Sequence, residues 1–439
     1  MDKTKLIAVV VVIIIVVAAA AIVLTRGGSD SGDDANIDAE LRVFGNADGN
    51  YTIDRNDLSI INDIVAGNLD ASDYPMADAN YDGAITQADA DLVQSIINGE
   101  PCTVYHYNTC TTGDYVVDTK WPVKSALATG ASNMLWIMTM AGMDGMVHGI
   151  TYSASSSPDP TIFPEFSKME SIGGSSTKLP VDNASSYISK YDVTAVVADK
   201  TASTVDKGTV EVQYESMGVD VIRVNPAAVD VDEFCSEMFL LGFLFQTEDY
   251  CIDVAQWWTN LQDEIDSKLE GVDKRTVITC NGSVSNGRIW ISAGTSDYVD
   301  VVKAAGGIYA LGDEVLTDYT SGVYFNENDT WLYQYDIDCI VSIKTNDWYS
   351  GTVDNDEKYE TSLGIFSNTQ AYQNGDAKVI VGDAPIPIRV AYAAVALYPE
   401  VFTEEWADQV HQEFFGKFLS DVDLDWDNLY FMIDQSMLS

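Results

Sequence analysis

Basic residues are scarce in this 439-residue chain: 23 lysines and arginines face 68 aspartates and glutamates, giving a formal net charge of −45, and only seven of the 23 are arginine. A surface of that sign is repelled by phosphate backbones, which excludes nucleic acid as a partner. Histidine is scarcer still. His106, His148 and His411 are the three present, and none belongs to a nucleophile elbow, an HExxH helix or a phosphate-cradling loop. The chain is therefore not expected to be an enzyme. The six cysteines, Cys102, Cys110, Cys235, Cys251, Cys280 and Cys339, include no CxxC pair, which excludes a zinc ribbon. Their even number permits up to three disulfides, and Cys102 with Cys110 is the one pair close enough in sequence to suggest a local bridge. Proline is sparse at 11 residues while 46% of the chain is hydrophobic. That balance excludes wholesale disorder, and the length calls for two or three domains.

One long apolar run is present. Leu6 to Leu24 is 19 uninterrupted apolar residues, about 28 Å of helix at ~1.5 Å per residue, enough to cross a bilayer core. Lys3 and Lys5 precede it and Arg26 is followed by GGSDSGDD, so the charge asymmetry predicts a cytoplasmic N-terminus and an extracellular bulk. A cleaved signal peptide would have a shorter apolar core and a small-residue cleavage site. Residues 1–26 accordingly read as a single-pass anchor in the cell membrane, and 27–39 as a flexible linker.

An internal repeat follows at an offset of 32 residues. NADGNYTIDRND (46–57) aligns with DANYDGAITQAD (78–89), and SIINDIVAG with DLVQSIING. In the second copy Asp78, Asn80, Asp82, Ala84, Thr86 and Asp89 fall at positions 1, 3, 5, 7, 9 and 12 of an EF-hand loop, with Gly83 at position 6. In the first copy Asn46, Asp48, Asn50, Thr52, Asp54 and Asp57 take the same places. Alternate oxygen side chains at that spacing converge on one ion, position 7 adds a backbone carbonyl, and the last carboxylate closes the shell. The expected cofactor is Ca²⁺ at two sites. Tyr51 where glycine is usual, and asparagine at positions 1 and 5, predict that the first site is the weaker. Residues 40–100 hold 12 acidic residues against Arg42 and Arg55, so without cations the segment is expected to loosen by self-repulsion while the rest stays folded. Aspartate at position 12, one helix per loop and two copies in about 60 residues resemble the dockerin type I module. That resemblance implies a possible cohesin-like partner and a second reading of the chain as a calcium-dependent surface docking or adhesion protein.

After a connector at 101–122, short β-branched runs alternate with helical stretches, the pattern of an α/β fold. Strands are expected at 125–130, 146–151, 193–199, 218–224, 275–280, 339–344 and 377–382. Between the fourth and fifth, residues 231–272 are helical in pattern, with a stretch of about 20 residues free of turn signals. This divides a first lobe, 123–230, from a second, 273–439. AGMDGMVHGIT, SKYDVTAVVA, LLGFLFQTEDYCIDVAQWW, AAGGIYA and IRVAYAAVALYPEVF follow one another in an order that resembles the substrate-binding proteins of the class III periplasmic-binding fold. With the tether and repeat ahead of them, they resemble the archaeal iron-type members. The resemblance implies two small α/β lobes joined by one rigid helix, a ferric siderophore, haem or corrinoid ligand, and an ABC permease as partner.

Ligands of α/β lobes lie where loops leave the strand ends. By that rule the first lobe offers Ser132, Asn133, Gly173, Gly174 and Ser175. The second offers Arg288, Trp290, Tyr319, Tyr324, Trp348, Tyr349 and Arg389, aromatics for a flat or greasy chelate and guanidinium groups for carboxylates. Five methionines between Met134 and Met146, and His148 in an apolar strand, read as core.

Overall fold

The computed structural model describes residues 37–153, 156–175, 178–201, 208–292, 294, 296–311, 322–326, 328–345, 348–351 and 354–438. The apolar run Leu6–Leu24 lies outside them. The expectation of a single-pass membrane protein is corrected: among the described residues no helix is long and apolar enough to cross a membrane.

Each loop of the repeat leads into one helix, α1 (Arg55–Val65) and α2 (Gln87–Ile97). Both begin with a reciprocal cap. The Asp57 and Asp89 carboxylates accept from the backbone N–H of Asp54 and Thr86, at 2.7 Å each, while the Asp54 and Thr86 side chains accept from the first helical turn. Ile61, Ile64, Ala90 and Val93 close a small core between the helices.

The expected connector is a hairpin. β1 (Cys102–Asn108) and β2 (Tyr115–Trp121) run antiparallel with Cys102 opposite Trp121, and Val104, His106 and Asn108 alternate inward. Asn108 then serves as a strand residue for its neighbour: its Nδ2 donates to Val221 O and its Oδ1 accepts from Arg223 N, 2.8 Å each.

The first lobe is a parallel sheet ordered β4-β3-β5-β6, from β3 (Ala126–Thr129), β4 (Val147–Thr151), β5 (Ala195–Asp199) and β6 (Asp220–Val224). Helices α3 (Ser132–Met140), α4 (Val181–Tyr191) and α5 (Val210–Ser216) alternate with the strands along the chain. Nearly every strand residue is buried, as covered parallel sheets require, and so the strands read as continuous apolar runs. Met134, Met138, Met140 and Met143 are core, as expected.

Residues 231–272 form two helices. α6 (Val231–Phe245) stops at Gln246, whose left-handed backbone (φ +59°) reverses the chain into α7 (Glu248–Lys268). The pair packs closely at Gly242, where a Cβ would meet Cys251 at 3.0 Å. The 21 residues of α7 carry the chain to the second lobe, roughly 30 Å at 1.5 Å per residue.

In the second lobe β7 (Thr276–Ser285), β11 (Cys339–Lys344) and β12 (Ala377–Val381) are parallel. β8 (Arg288–Ser292) and β10 (Gly322–Asn326) extend the sheet antiparallel on one side and β13 (Met432–Ile433) on the other, while β9 (Ile308–Tyr309) pairs with the start of β7. Helices α8 (Asp297–Ala304), α9 (Asn355–Leu363), α10 (Gln370–Gln373), α11 (Ile386–Leu397) and α12 (Glu404–Phe418) complete it, with α11 wholly buried. One apolar core runs through both lobes and reaches Leu41, Val43 and Ile96 of the repeat segment. All six cysteines are free thiols, so the disulfides that their number permitted do not form, Cys102–Cys110 included.

Candidate functional site

The carboxyl ends of β3 and β12 meet at the junction of the lobes and those of β5 and β6 open beside it, the usual place for a ligand crevice. There the lobes grip each other through Arg389 at the start of α11. Its Nε donates to Ala384 O at 2.6 Å and its Nη2 to Asn133 Oδ1 of the first lobe at 2.7 Å, while Nη1 lies 3.8 Å from Asp297 Oδ2. Asn133 Nδ2 reaches the same Asp297 oxygen at 3.5 Å, and Trp136 Nε1 donates to Asp383 O at 2.6 Å. The guanidinium is thus committed to holding the lobes together.

Beside this contact lies a cavity of about 650 Å³, within the rough range of small-molecule sites. One wall is the end of β5 (Asp199, Lys200), the end of β6 (Asn225) and the first turn of α6 (Asp230, Glu233); the other is α8 from Asp297 through Asp300 to Lys303. Asn225 Nδ2 donates to Glu233 Oε1 at 2.6 Å. Burial raises the Asp300 carboxyl above its ordinary range, and Lys303 partly offsets this.

One turn deeper on α6, Glu237 is buried against the hairpin. Its Oε1 accepts from Thr109 Oγ1 at 2.6 Å and from Asn225 N at 3.0 Å. Burial pushes its carboxyl from 4.5 up to about 7, with Glu233 adding to the rise and the two hydrogen bonds and Arg42 opposing it. A carboxyl raised in the folded state costs stability as pH climbs from its unfolded value through the folded one. Glu237→Gln keeps both acceptor contacts and removes the ionisation. The variant should melt with the wild type near pH 4 and above it at pH 8; an unchanged difference between the two pH values would exclude the ionisation as the cause.

The sequence-predicted ligand residues divide. Ser132, exposed at the first position of α3, and Asn133 stand at the junction. Gly173 is buried, with Lys178 O only 2.7 Å from where a Cβ would sit, and Gly174 and Ser175 continue that turn away from the cavity lining. Arg288, Trp290 and Tyr324 come together. Trp290 is directly opposite Tyr324, their rings are edge-to-face at 4.7 Å, and the Arg288 guanidinium lies 4.0 Å from the Tyr324 ring centre. They ride on the β7–β8–β10 ribbon, which continues three residues past the level of Lys344, where β11 stops, roughly 10 Å at 3.3 Å per residue. Tyr319 lies outside the described residues. Trp348 and Tyr349 are corrected to core positions. Trp348 is fully buried, its Nε1 donates to Lys344 O at 2.6 Å and Lys358 Nζ sits 3.9 Å from its ring centre, while the Tyr349 hydroxyl pairs with His411 Nε2 at 3.0 Å. Arg389 is occupied as described. The acidic wall, Asp199, Asp230, Glu233, Asp297 and Asp300, is absent from that set, although the strand-end rule applied to β5 and β6 points to it.

The histidines are structural. His106 Nε2 pairs with Thr119 Oγ1 at 2.9 Å, and burial lowers His106 to about 4 and His411 to about 3. His148 stacks on Tyr191.

In the repeat, carboxylate oxygens of Asp48, Asp54 and Asp57 lie within 4.8 Å of one another. Asn46 is 1% exposed; its Nδ2 donates to Leu41 O and Asn50 O, and its Oδ1 has no protein partner. The Asn50 carboxamide oxygen accepts from Thr52 N at 2.7 Å. In the second loop Asp78 accepts from the backbone N–H of Asp82 and Gly83, Asn80 from that of Asp82, and Asp82 from Ala84 N. Gly83 takes φ +92°, a conformation that favours glycine at this turn. Tyr51 has a separate use, since its ring packs 5.3 Å from Phe239 of α6, and Tyr81 packs on Phe44 and Tyr105.

No protein-family model matches the chain, and no curated protein matches it. Solved structures do match. A TroA-like periplasmic binding protein, FepB, from Veillonella parvula is 15% identical with a TM-score of 0.53, over 71% of this chain and 95% of its own. A periplasmic solute binding protein from Veillonella parvula gives 0.54 at 15% identity, over 74% and 97%. Helicobacter pylori Ceue with Ni(II) bound gives 0.51 at 13% identity, over 74% and 99%. At these identities the likeness concerns the fold. The chain has the mixed α/β fold of TroA-like periplasmic binding proteins, in keeping with the class III resemblance of its motifs.

Proposed function

We propose that this chain is the substrate-binding component of an importer, one that captures a metal chelate, namely a ferric siderophore, haem or a corrinoid, and delivers it to an ABC permease. The observation that carries the reading is the cavity of about 650 Å³ between the two α/β lobes, set at the carboxyl ends of β5 and β6 and closed on the other side by α8. The fold neighbours described as solute-binding, and the Ni(II) on one of them, point the same way. Titrating the full-length chain with iron chelates, haemin and cobalamin is expected to give at least one dissociation constant of about 1 μM or tighter. Failure to bind any of them would sink the proposal.

The dockerin-like repeat takes two calcium ions, the second loop the more tightly. The donor sets are all oxygen, the first-loop carboxylates are gathered and Asn46 carries a buried unpaired oxygen, which fit that ion, while the ranking rests on the second loop's aspartates at positions 1 and 5 and on Gly83 at position 6. Docking to a cohesin-like partner has no comparable observation behind it: Tyr51 of the first loop is turned onto Phe239 of α6.

A further inference from the structure

Charge is distributed unevenly over the cavity. Its described walls carry five carboxylates against Lys200 and Lys303, and Lys303 stands 3.9 Å from Asp300. Arg389, at the neighbouring junction, is buried and spends its N–H groups on Ala384 O, Asn133 and Asp297. Even with Arg389 counted, the walls remain negative by two. Carboxylate-rich chelates are held by guanidinium or ammonium groups with free N–H donors; this lining supplies carboxylates in excess instead. The whole chain, at −45, adds a field of the same sign and steers cations toward it.

From this we infer that the cavity selects a metal complex of net positive charge, one that presents ammonium or amide N–H groups to Asp230, Glu233 and Asp300 and is anchored by no carboxylate of its own. The inference rests on the chelate-receptor reading and narrows it. Among the chelates proposed, it favours cationic hydroxamates and cationic corrinoids over haem, whose two propionates would face like charge.

The test uses one iron cage with three charges: ferric trishydroxamate with a free terminal ammonium (+1), its N-acetyl form (0) and its N-succinyl form (−1). Cationic diaquocobinamide and anionic haemin extend the comparison to flat ligands. Calorimetric titration of the full-length chain should rank a cation tightest, by about tenfold for each unit of charge, with the preference shrinking as salt is added. Asp230→Asn and Asp300→Asn should each weaken the cation several-fold and the neutral form, which keeps only an amide N–H, clearly less, so that the gap between the two narrows. Asparagine at 230 can still cap α6, where Asp230 accepts from Glu233 N at 3.0 Å, so loss of fold is not the expected outcome. An anionic or neutral member binding as tightly as its cationic counterpart would overturn the charge selection and leave the receptor reading standing. If no member bound, both would fall.

Discussion

Chelating calcium from the full-length protein is expected to lower the melting temperature of the first lobe together with that of residues 40–100. The sequence alone predicts a module that loosens by itself, its 12 acidic residues repelling one another. The structure changes that expectation. Leu41, Val43 and Ile96 belong to the same apolar core as the lobes, β1 is bridged to Val43 at His106, and Tyr51 of the first loop lies on Phe239 of α6. A ligand that binds only the folded state stabilises it by about 2.7 kcal/mol per site at a hundredfold excess over its dissociation constant. Two loaded loops would therefore hold the adjoining lobe by roughly 5 kcal/mol. Asp57→Ala or Asp89→Ala removes a closing carboxylate and a helix cap together, and each should reproduce most of the loss from its own loop. Differential scanning calorimetry with and without chelator decides the matter: superimposable traces would mean that the loops are acidic turns, and a lone low-temperature transition for the repeat would mean that it is uncoupled.

Arg223→Ala is expected to destabilise the chain by about 3–5 kcal/mol, the cost of stranding a buried partner charge. Arg223 is fully buried in β6; its Nη2 and Nε hold Glu211 Oε2 at 3.0 and 3.2 Å, Nε also donates to the Tyr115 hydroxyl, and Nη1 to Thr201 O. One side chain thereby ties the hairpin, α5 and the loop after β5 to the sheet. Because the penalty comes from the orphaned carboxylate, adding Glu211→Gln to Arg223→Met should recover much of the loss. Urea denaturation of the wild type, the alanine variant and the double variant measures this. A double variant as unstable as Arg223→Ala would refute the charge-stranding explanation.

All seven expected strands form, and the reason is physical. Strands covered on both faces, such as VTAVVAD and CIVSIK, have to be apolar throughout, so they stand out in the chain. The edges of the second sheet do not. β9 and β13 are two residues each and exist through the partner they pair with, and the ribbon strands RIWIS and GVYFN are too short for their alternation to decide. The site shows the same division. Asn133 and Arg389 are recognisable from their places after strands, but that they would bond to each other across the lobes depends on a packing that no local pattern encodes. Trp348 and Tyr349 occupy loop positions in the chain, yet the loop folds back and their rings fill the core. The acidic wall is obscured by abundance: among 68 carboxylates, the five that share a cavity carry no distinguishing neighbour.

The antiparallel helices α6 and α7 act as a caliper. The jaw on one side is the first turn of α6, with Asp230 and Glu233; on the other it is α8, whose last carbonyl, Ala304 O, accepts from Gln262 Nε2 of α7 at 3.0 Å. The pair is locked where Gly242 meets Cys251, so the gap between the jaws is fixed by a bonded helical frame and not by two crossing strands that could hinge. For the chelate receptor proposed above, such a frame would gauge cargo for width at the moment of entry. In that receptor a molecule a few ångströms too broad would have to spring a helix, and a loaded and an empty copy would present nearly the same outline to a membrane partner, leaving the cargo itself as the thing to be felt.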